Sequence, residues 1–297
     1  MAVGAVMAAG AAWAQVDIRW DLDHSTVPLM GAIDAHLKIT NRTGEEMSLG
    51  PGGNTGLSFL VDDGNGGIVM PNGGELVKYP VRIANGGTGV VTVDLSDGYT
   101  LLRPQPYAVA PVLDLGGGER FAGARKTLDV QPGLEIARLE TGLASRGTDR
   151  EATLRQVHRD RSDTVFFRLD APSASRCLGV YELGTLIRFA PPRLVVDGEG
   201  NWHVLHQSAP DRFVHSVFAP EGAPVAREMY TAQAGHIRLD VGEDGVAEVV
   251  GGNKFEASPD APGTLVAPAL APSVPFKTLD DAGGSSAGTK ERSSWWR

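Results

Sequence analysis

Apolar and polar residues alternate with a period of two through much of the first half of the chain. From Ile33 to Thr40, the residues Ile33, Ala35, Leu37 and Ile39 are apolar while Asp34, His36, Lys38 and Thr40 are polar. This is the pattern of a strand with one buried face. "VDIRWDL", "GLSFLVDD", "VKYPVRI", "GVVTVDLS", "YAVAPVLDL" and "RKTLDVQPG" read as further short strands, divided by turn-forming runs such as "NRTGEE", "DDGNGG" and "LGGGER". Such a series across residues 15–133 predicts an immunoglobulin-like β-sandwich. Tyr107 stands just before the penultimate strand, at the place of a tyrosine corner.

A second β-rich domain is expected over 134–255. "TLRQVHR" and "TVFFRLD", joined by "DRSD", read as a hairpin. "RLVVDGEGNWHVL" (193–205) then aligns without gaps on "RLDVGEDGVAEVV" (238–250), a shift of 45 residues that sets Arg193, Leu194, Val196, Gly200 and Val204 on Arg238, Leu239, Val241, Gly245 and Val249. Strand–turn–strand repeats of roughly this period resemble propeller blades. The domain is too short for the ~4 blades a closed propeller needs, so a meander of blade-like hairpins is predicted. The fold class expected is therefore mainly β: a sandwich, a hairpin meander and a disordered C-terminal tail.

The termini differ in composition. Residues 1–14, "MAVGAVMAAGAAWA", are small and apolar and end in the cleavage-site form Ala12-Trp13-Ala14, which predicts a signal peptide and a mature chain starting at Gln15. No Lys or Arg precedes this run, and it falls short of the ~18–20 residues that span a bilayer. The protein is expected to be exported, periplasmic or extracellular, with no membrane span in the mature chain. Residues 256–297 are rich in Ala, Pro, Gly and Ser, which predicts a disordered tail. Its Trp295 and Trp296 are read as either a docking signal or an unselected extension. A net charge of −9 argues against nucleic acid as a partner. Cys177 is the single cysteine, so no intrachain disulfide forms, and "RCLGVYELG" reads as the setting of a small buried hydrophobe.

"HLKITNRTGEEMSL", "FLVDDGNGGIV" and "YAVAPVL" resemble the sandwich of the bacterial intracellular proteinase inhibitor family. They are also similar to the Ig-like domain that opens some uncharacterised secreted bacterial proteins. In those proteins a segment like "CLGVYELGTLIRFAPPRLVVDGEGNWHVLHQ" follows. The first resemblance implies a sandwich and the second a two-part exported chain. Neither assigns a functional residue.

The densest chemistry lies in "GNWHVLHQSAPDRFVHSVF", which carries His203, His206 and His215. On a strand, His203 and His206 point to opposite faces and cannot chelate one ion. If Ala209–Arg212 is the turn, His206 and His215 meet across the hairpin as candidate metal ligands, with Trp202, Val204 and Val217 on their face and Leu205 and Phe218 on the other. A zinc site needs three or four ligands, so the expectation is a structural pair and no metal. "GSSAG" around Ser286 matches a nucleophile elbow without the flanking strand and helix that give it meaning. Asp34 and His36 share a strand face. The Asp62–Gly67 and Asp197–Asn201 loops read as turns rather than calcium loops. Arg146, Arg150, Arg155, Arg159 and Arg161 are interrupted by Asp149, Glu151, Asp160 and Asp163, which suggests ion pairs. No HExxH, CxxC, P-loop or GxGxxG is present, and no cofactor is expected. The reading that results is a non-enzymatic exported protein of the cell envelope that binds a protein or a glycan or is structural. Its rivals are a secreted hydrolase with a site near Asp197, His203, His206 and His215, and a proteinase inhibitor.

Overall fold

The computed structural model describes residues 15–142 and 148–255. Residues 1–14, the expected signal peptide, Arg146, and residues 256–297 with Ser286, Trp295 and Trp296 lie outside the described residues. The chain divides after Gln131 into two compact units, two residues before the expected boundary.

The first unit contains β1 (Val16–Leu22), β2 (Thr26–Pro28), β3 (Asp34–Asn41), β4 (Met47–Leu49), β5 (Gly56–Asp62), β6 (Val81–Ile83), β7 (Thr88–Asp94), the helical turn α1 (Leu95–Gly98), β8 (Pro106–Asp114), β9 (Arg120–Ala122) and β10 (Lys126–Gln131). One sheet has the order β1-β3-β7. The other runs β2-β10-β8-β5 with β9 on β8, and β4 pairs with β6. Period-two patterning puts Ala35, Leu37 and Ile39 at 0 % exposure. They share a core with Phe59, Val109, Leu113 and Leu128 of the second sheet. Trp20 and Phe59 meet edge to face at 5.7 Å. Two sheets closed on one core make this unit a β-sandwich. The Tyr107 hydroxyl donates to the Arg103 carbonyl at 3.0 Å, the back-bond of a tyrosine corner.

Two local expectations are corrected. Of "VKYPVRI" only Val81–Ile83 is strand, because Pro80 has no N–H for a ladder and holds Tyr79 away from regular pairing. "GVVTVDLS" stops at Asp94, whose carboxylate accepts from the Ser96 N–H at 2.9 Å and starts α1.

The second unit contains β11 (Leu134–Thr141), β12 (Arg150–Arg159), β13 (Ser162–Ala171), β14 (Arg176–Thr185), β15 (Arg193–Val196), β16 (Trp202–Ala209), β17 (Arg212–Phe218), β18 (Pro224–Thr231), β19 (Arg238–Val241), β20 (Ala247–Val250) and β21 (Asn253–Lys254). A four-stranded meander, β11-β12-β13-β14, packs on a five-stranded sheet, β15-β16-β17-β18-β21. Between them Phe167 stacks on Phe218 at 4.2 Å, with Trp202 and Tyr181 alongside. The other face of the five-stranded sheet, through Leu205 and Phe213, meets Ile237 and Leu239 of the β19–β20 region. Burial on both faces explains why β16 and β17 are apolar or buried at almost every position.

The internal repeat is reproduced bond for bond. β15 pairs with β16 from Arg193↔Leu205 to Val196↔Trp202, and β19 pairs with β20 from Arg238↔Val250 to Val241↔Ala247. The turns match as well, with Asp197 N–H to Asn201 O at 3.0 Å and Gly242 N–H to Val246 O at 2.9 Å. Gly200 and Gly245 adopt φ of 89° and 82°, a left-handed geometry that selects glycine. The two turns touch, Gly198 N–H donating to Gly245 O at 2.7 Å.

Candidate functional site

The histidine segment forms the β16–β17 hairpin, but its register differs from the one expected. An irregularity between Gln207 and Ala209 leaves Ser208 unpaired, so Leu205 rather than His206 stands opposite His215, and His206 opposes Val214. One extra residue near the turn shifts the pairing by one and moves every side chain of the partner strand to the other face. His206 and His215 therefore lie on opposite faces, and as a candidate metal pair they are excluded. The faces correct in the same way. Trp202, Val204 and Phe218 share one core, and Leu205 and Val217 belong to the other face.

The pair that does meet is His203 and His215, diagonal neighbours on one face. His203 Nδ1 is 3.1 Å from His215 Nε2, and His203 Nε2 is 3.1 Å from Asp197 Oδ2. At the far end His215 Nδ1 lies 3.8 Å from Glu228 Oε2. Glu228 also receives Tyr230 Oη at 2.7 Å and Lys254 Nζ at 2.6 Å. The result is a row from Asp197 through two imidazoles to Glu228 and Lys254, running across β16, β17, β18 and β21. Asp197 is itself held by the turn, accepting from Glu199 N–H at 2.9 Å and from Asn201 N–H at 2.8 Å. Burial opposes its ionisation, but the Asn201 side chain, His203 and these two N–H groups together hold the carboxyl down at about 2. As an acceptor it orients the first ring. His203 Nε2 donates to Asp197, His203 Nδ1 and His215 Nε2 share one hydrogen bond, and His215 Nδ1 is left without a hydrogen-bond partner among the described residues on the side of Glu228. Burial first, then the His203 ring, push His215 down to about 4 against the pull of Glu228.

His206 faces the opposite core at 1 % exposure, with neither ring nitrogen bonded among the described residues. Burial, with help from Arg227, pushes it down to about 3. Cys177 is inert in the same sense, since burial lifts its thiol to about 11 despite Arg168 nearby. No serine, threonine or cysteine is bonded to His215 Nδ1 among the described residues. The row thus has the carboxylate–imidazole half of a charge relay without the nucleophile. Among the described residues no group of three or more His, Cys, Asp or Glu is placed to hold a metal.

The other sequence candidates resolve into structure. Asp34 and His36 lie on the solvent face of β3, where His36 Nδ1 meets Thr92 Oγ1 at 3.0 Å. Burial, then Asp94 and Asp23, raise the Asp34 carboxyl. Asp62 and Asp63 spend their carboxylates on the loop, accepting from Gly64, Asn65 and Gly67 N–H groups at 2.8–2.9 Å. In the arginine run, Arg155 pairs with Glu135 at 3.2 Å and Arg159 pairs with Glu182.

What the sequence did not announce is a cleft in the first unit. It encloses about 330 Å³ and is lined by three stretches, 50–58, 71–77 and 98–99. Pro51, Leu57, Pro71, Leu76, Val77 and Tyr99 give it apolar walls, and Glu75 is its one charged residue. Met70 and Tyr79, 74 % and 80 % exposed, flank these stretches in the chain. No helix among the described residues is long and apolar enough to cross a membrane. No protein-family model matches the chain, and no curated protein matches it.

Proposed function

We propose that this chain is an exported, non-enzymatic binding protein of the cell envelope, and that the cleft of the first unit is its recognition surface. One observation carries the reading. Asp197, His203 and His215 are bonded into one row with both rings buried, whereas the open cleft offers apolar walls, main-chain groups and a single carboxylate. That is the make-up of a binding site rather than of a reaction centre. The tyrosine corner and paired sheets support kinship with Ig-like domains, and with it the resemblance to secreted proteins that open with one. Fold likeness is weak evidence for function, so the test is direct. The purified chain is applied to peptide and glycan arrays beside Leu57→Asp and Tyr79→Ala variants. Binding that falls in both supports the reading, and binding indifferent to both overturns it. Export is tested by N-terminal sequencing of protein from the envelope fraction. A start at Gln15 is expected, and an intact Met1 in the cytosol overturns that part.

A hydrolase is the second reading, favoured by the alignment of Asp197, His203 and His215. It requires ester or amide hydrolysis that disappears in His215→Gln while the fold persists.

A further inference from the structure

β5 is the outer strand of its sheet, with β8 on one side only. Its pairing opposes Phe59 to Pro111, which has no N–H, so the Phe59 main-chain groups point away from β8. Alternation then sends those of Leu57 and Val61 the same way. Most of this edge is sealed. Tyr99 Oη lies 2.7 Å from both the N–H and the carbonyl of Phe59, and Val61 O accepts from Val69 N–H at 2.9 Å. Just before the strand, Thr55 N–H donates to Ser48 O at 3.0 Å. Leu57 lies between these seals, and among the described residues its outward N–H and C=O have no partner. Leu57 lines the cleft together with its neighbours Gly56 and Ser58. Natural sheets usually seal such an edge because it templates strand addition.

Resting on the reading of this cleft as a recognition surface, we infer that its occupant is an extended peptide segment with a basic side chain. One of its residues pairs its N–H and C=O with those of Leu57, in the manner of β-strand addition. Apolar side chains beside that residue lie on Pro51, Pro71 and Leu76. The basic group pairs with Glu75, an exposed carboxylate without a cation among the described residues. On a chain of net charge −9, cationic segments are also drawn in electrostatically.

The test uses the full chain and a panel of fluorescein-labelled alternating Val/Thr heptapeptides, each with one Lys at a different position, read by fluorescence polarisation. For the best binder, N-methylation of the residue that faces the edge is expected to weaken binding about tenfold or more, and methylation of its neighbours to leave it unchanged. Exchanging Lys for Glu weakens binding in the wild type but not in Glu75→Gln. Leu57→Pro removes the outward donor without touching the β5–β8 ladder, so it mimics the N-methyl result, while Leu57→Ala retains main-chain pairing. If Leu57→Pro does not fold, the methylation series alone decides. Binding equally tolerant of methylation at every position, or no saturable binding by any peptide, overturns the inference. The broader reading survives that failure if a glycan probe still responds to Leu57→Asp and Tyr79→Ala. It falls as well if no probe responds.

Discussion

His206 and His215 are neutral rings in places where an imidazolium is costly, and this makes stability depend on acid. Both rings take up a proton less readily folded, at about 3 and about 4, than at their ordinary 6.5. The unfolded chain therefore binds more protons between these values, so stability is full above about 6.5 and declines as the pH falls toward 4 and then 3. Each ring contributes a slope of up to about 1.4 kcal/mol per pH unit in that window. Urea unfolding at pH 7 and pH 4.5 checks this. The loss on acidification should shrink in His206→Leu, and an unchanged loss would exclude its buried ring as the cause. On the same face Trp202, 1 % exposed, is expected to cost about 3–5 kcal/mol as Trp202→Ala, measured as a lower urea midpoint with an unchanged slope.

At the level of strands and turns, the β12–β13 hairpin turns on Asp160 and Arg161, with φ of 50° and 66°. A two-residue turn with both φ positive favours Asn-Gly. Asp160→Asn with Arg161→Gly should therefore raise stability by about 0.5–1 kcal/mol, read as a higher thermal midpoint, and a lower midpoint would contradict the turn assignment. The strands themselves were largely readable, because Ile33–Thr40 and Val16–Leu22 have one wet face that imprints alternation. β2, β4 and β9 are three residues each, too short to display a period. The histidine pairing is not legible in the sequence for a different reason. Pairing across β16 and β17 depends on whether Ser208 is accommodated in the ladder or left out, and nothing in "QSAPDR" distinguishes these without the neighbouring strand. The cleft was not legible at all, since residues 50–58, 71–77 and 98–99 are brought together by sheet order, not by any local pattern.

On the scale of the molecule, the cores described above are each drawn, among the described residues, from one unit. The first core ends at Val130, and those of the second begin with Ile136. Fragments 15–131 and 132–255 expressed separately should each unfold cooperatively in urea. A fragment without a cooperative transition would mean that its core needs residues of the other unit.

The contact between the two repeated turns has a consequence for how this chain can vary. A Cβ on Gly198 would stand 3.3 Å from the Gly245 Cα, and one on Gly245 would stand 3.2 Å from the Gly198 Cα. The two copies of the repeat are thereby locked at their tips. Neither Gly198 nor Gly245 can gain a side chain without pressing on the other turn. Drift is then channelled into the side chains around the tips, where Asp197 in one copy answers to Gly242 in the other. In one copy the Asp197 carboxylate reaches back from the turn to the His203 ring, whereas Gly242 at the matching position of the other has no side chain to do so.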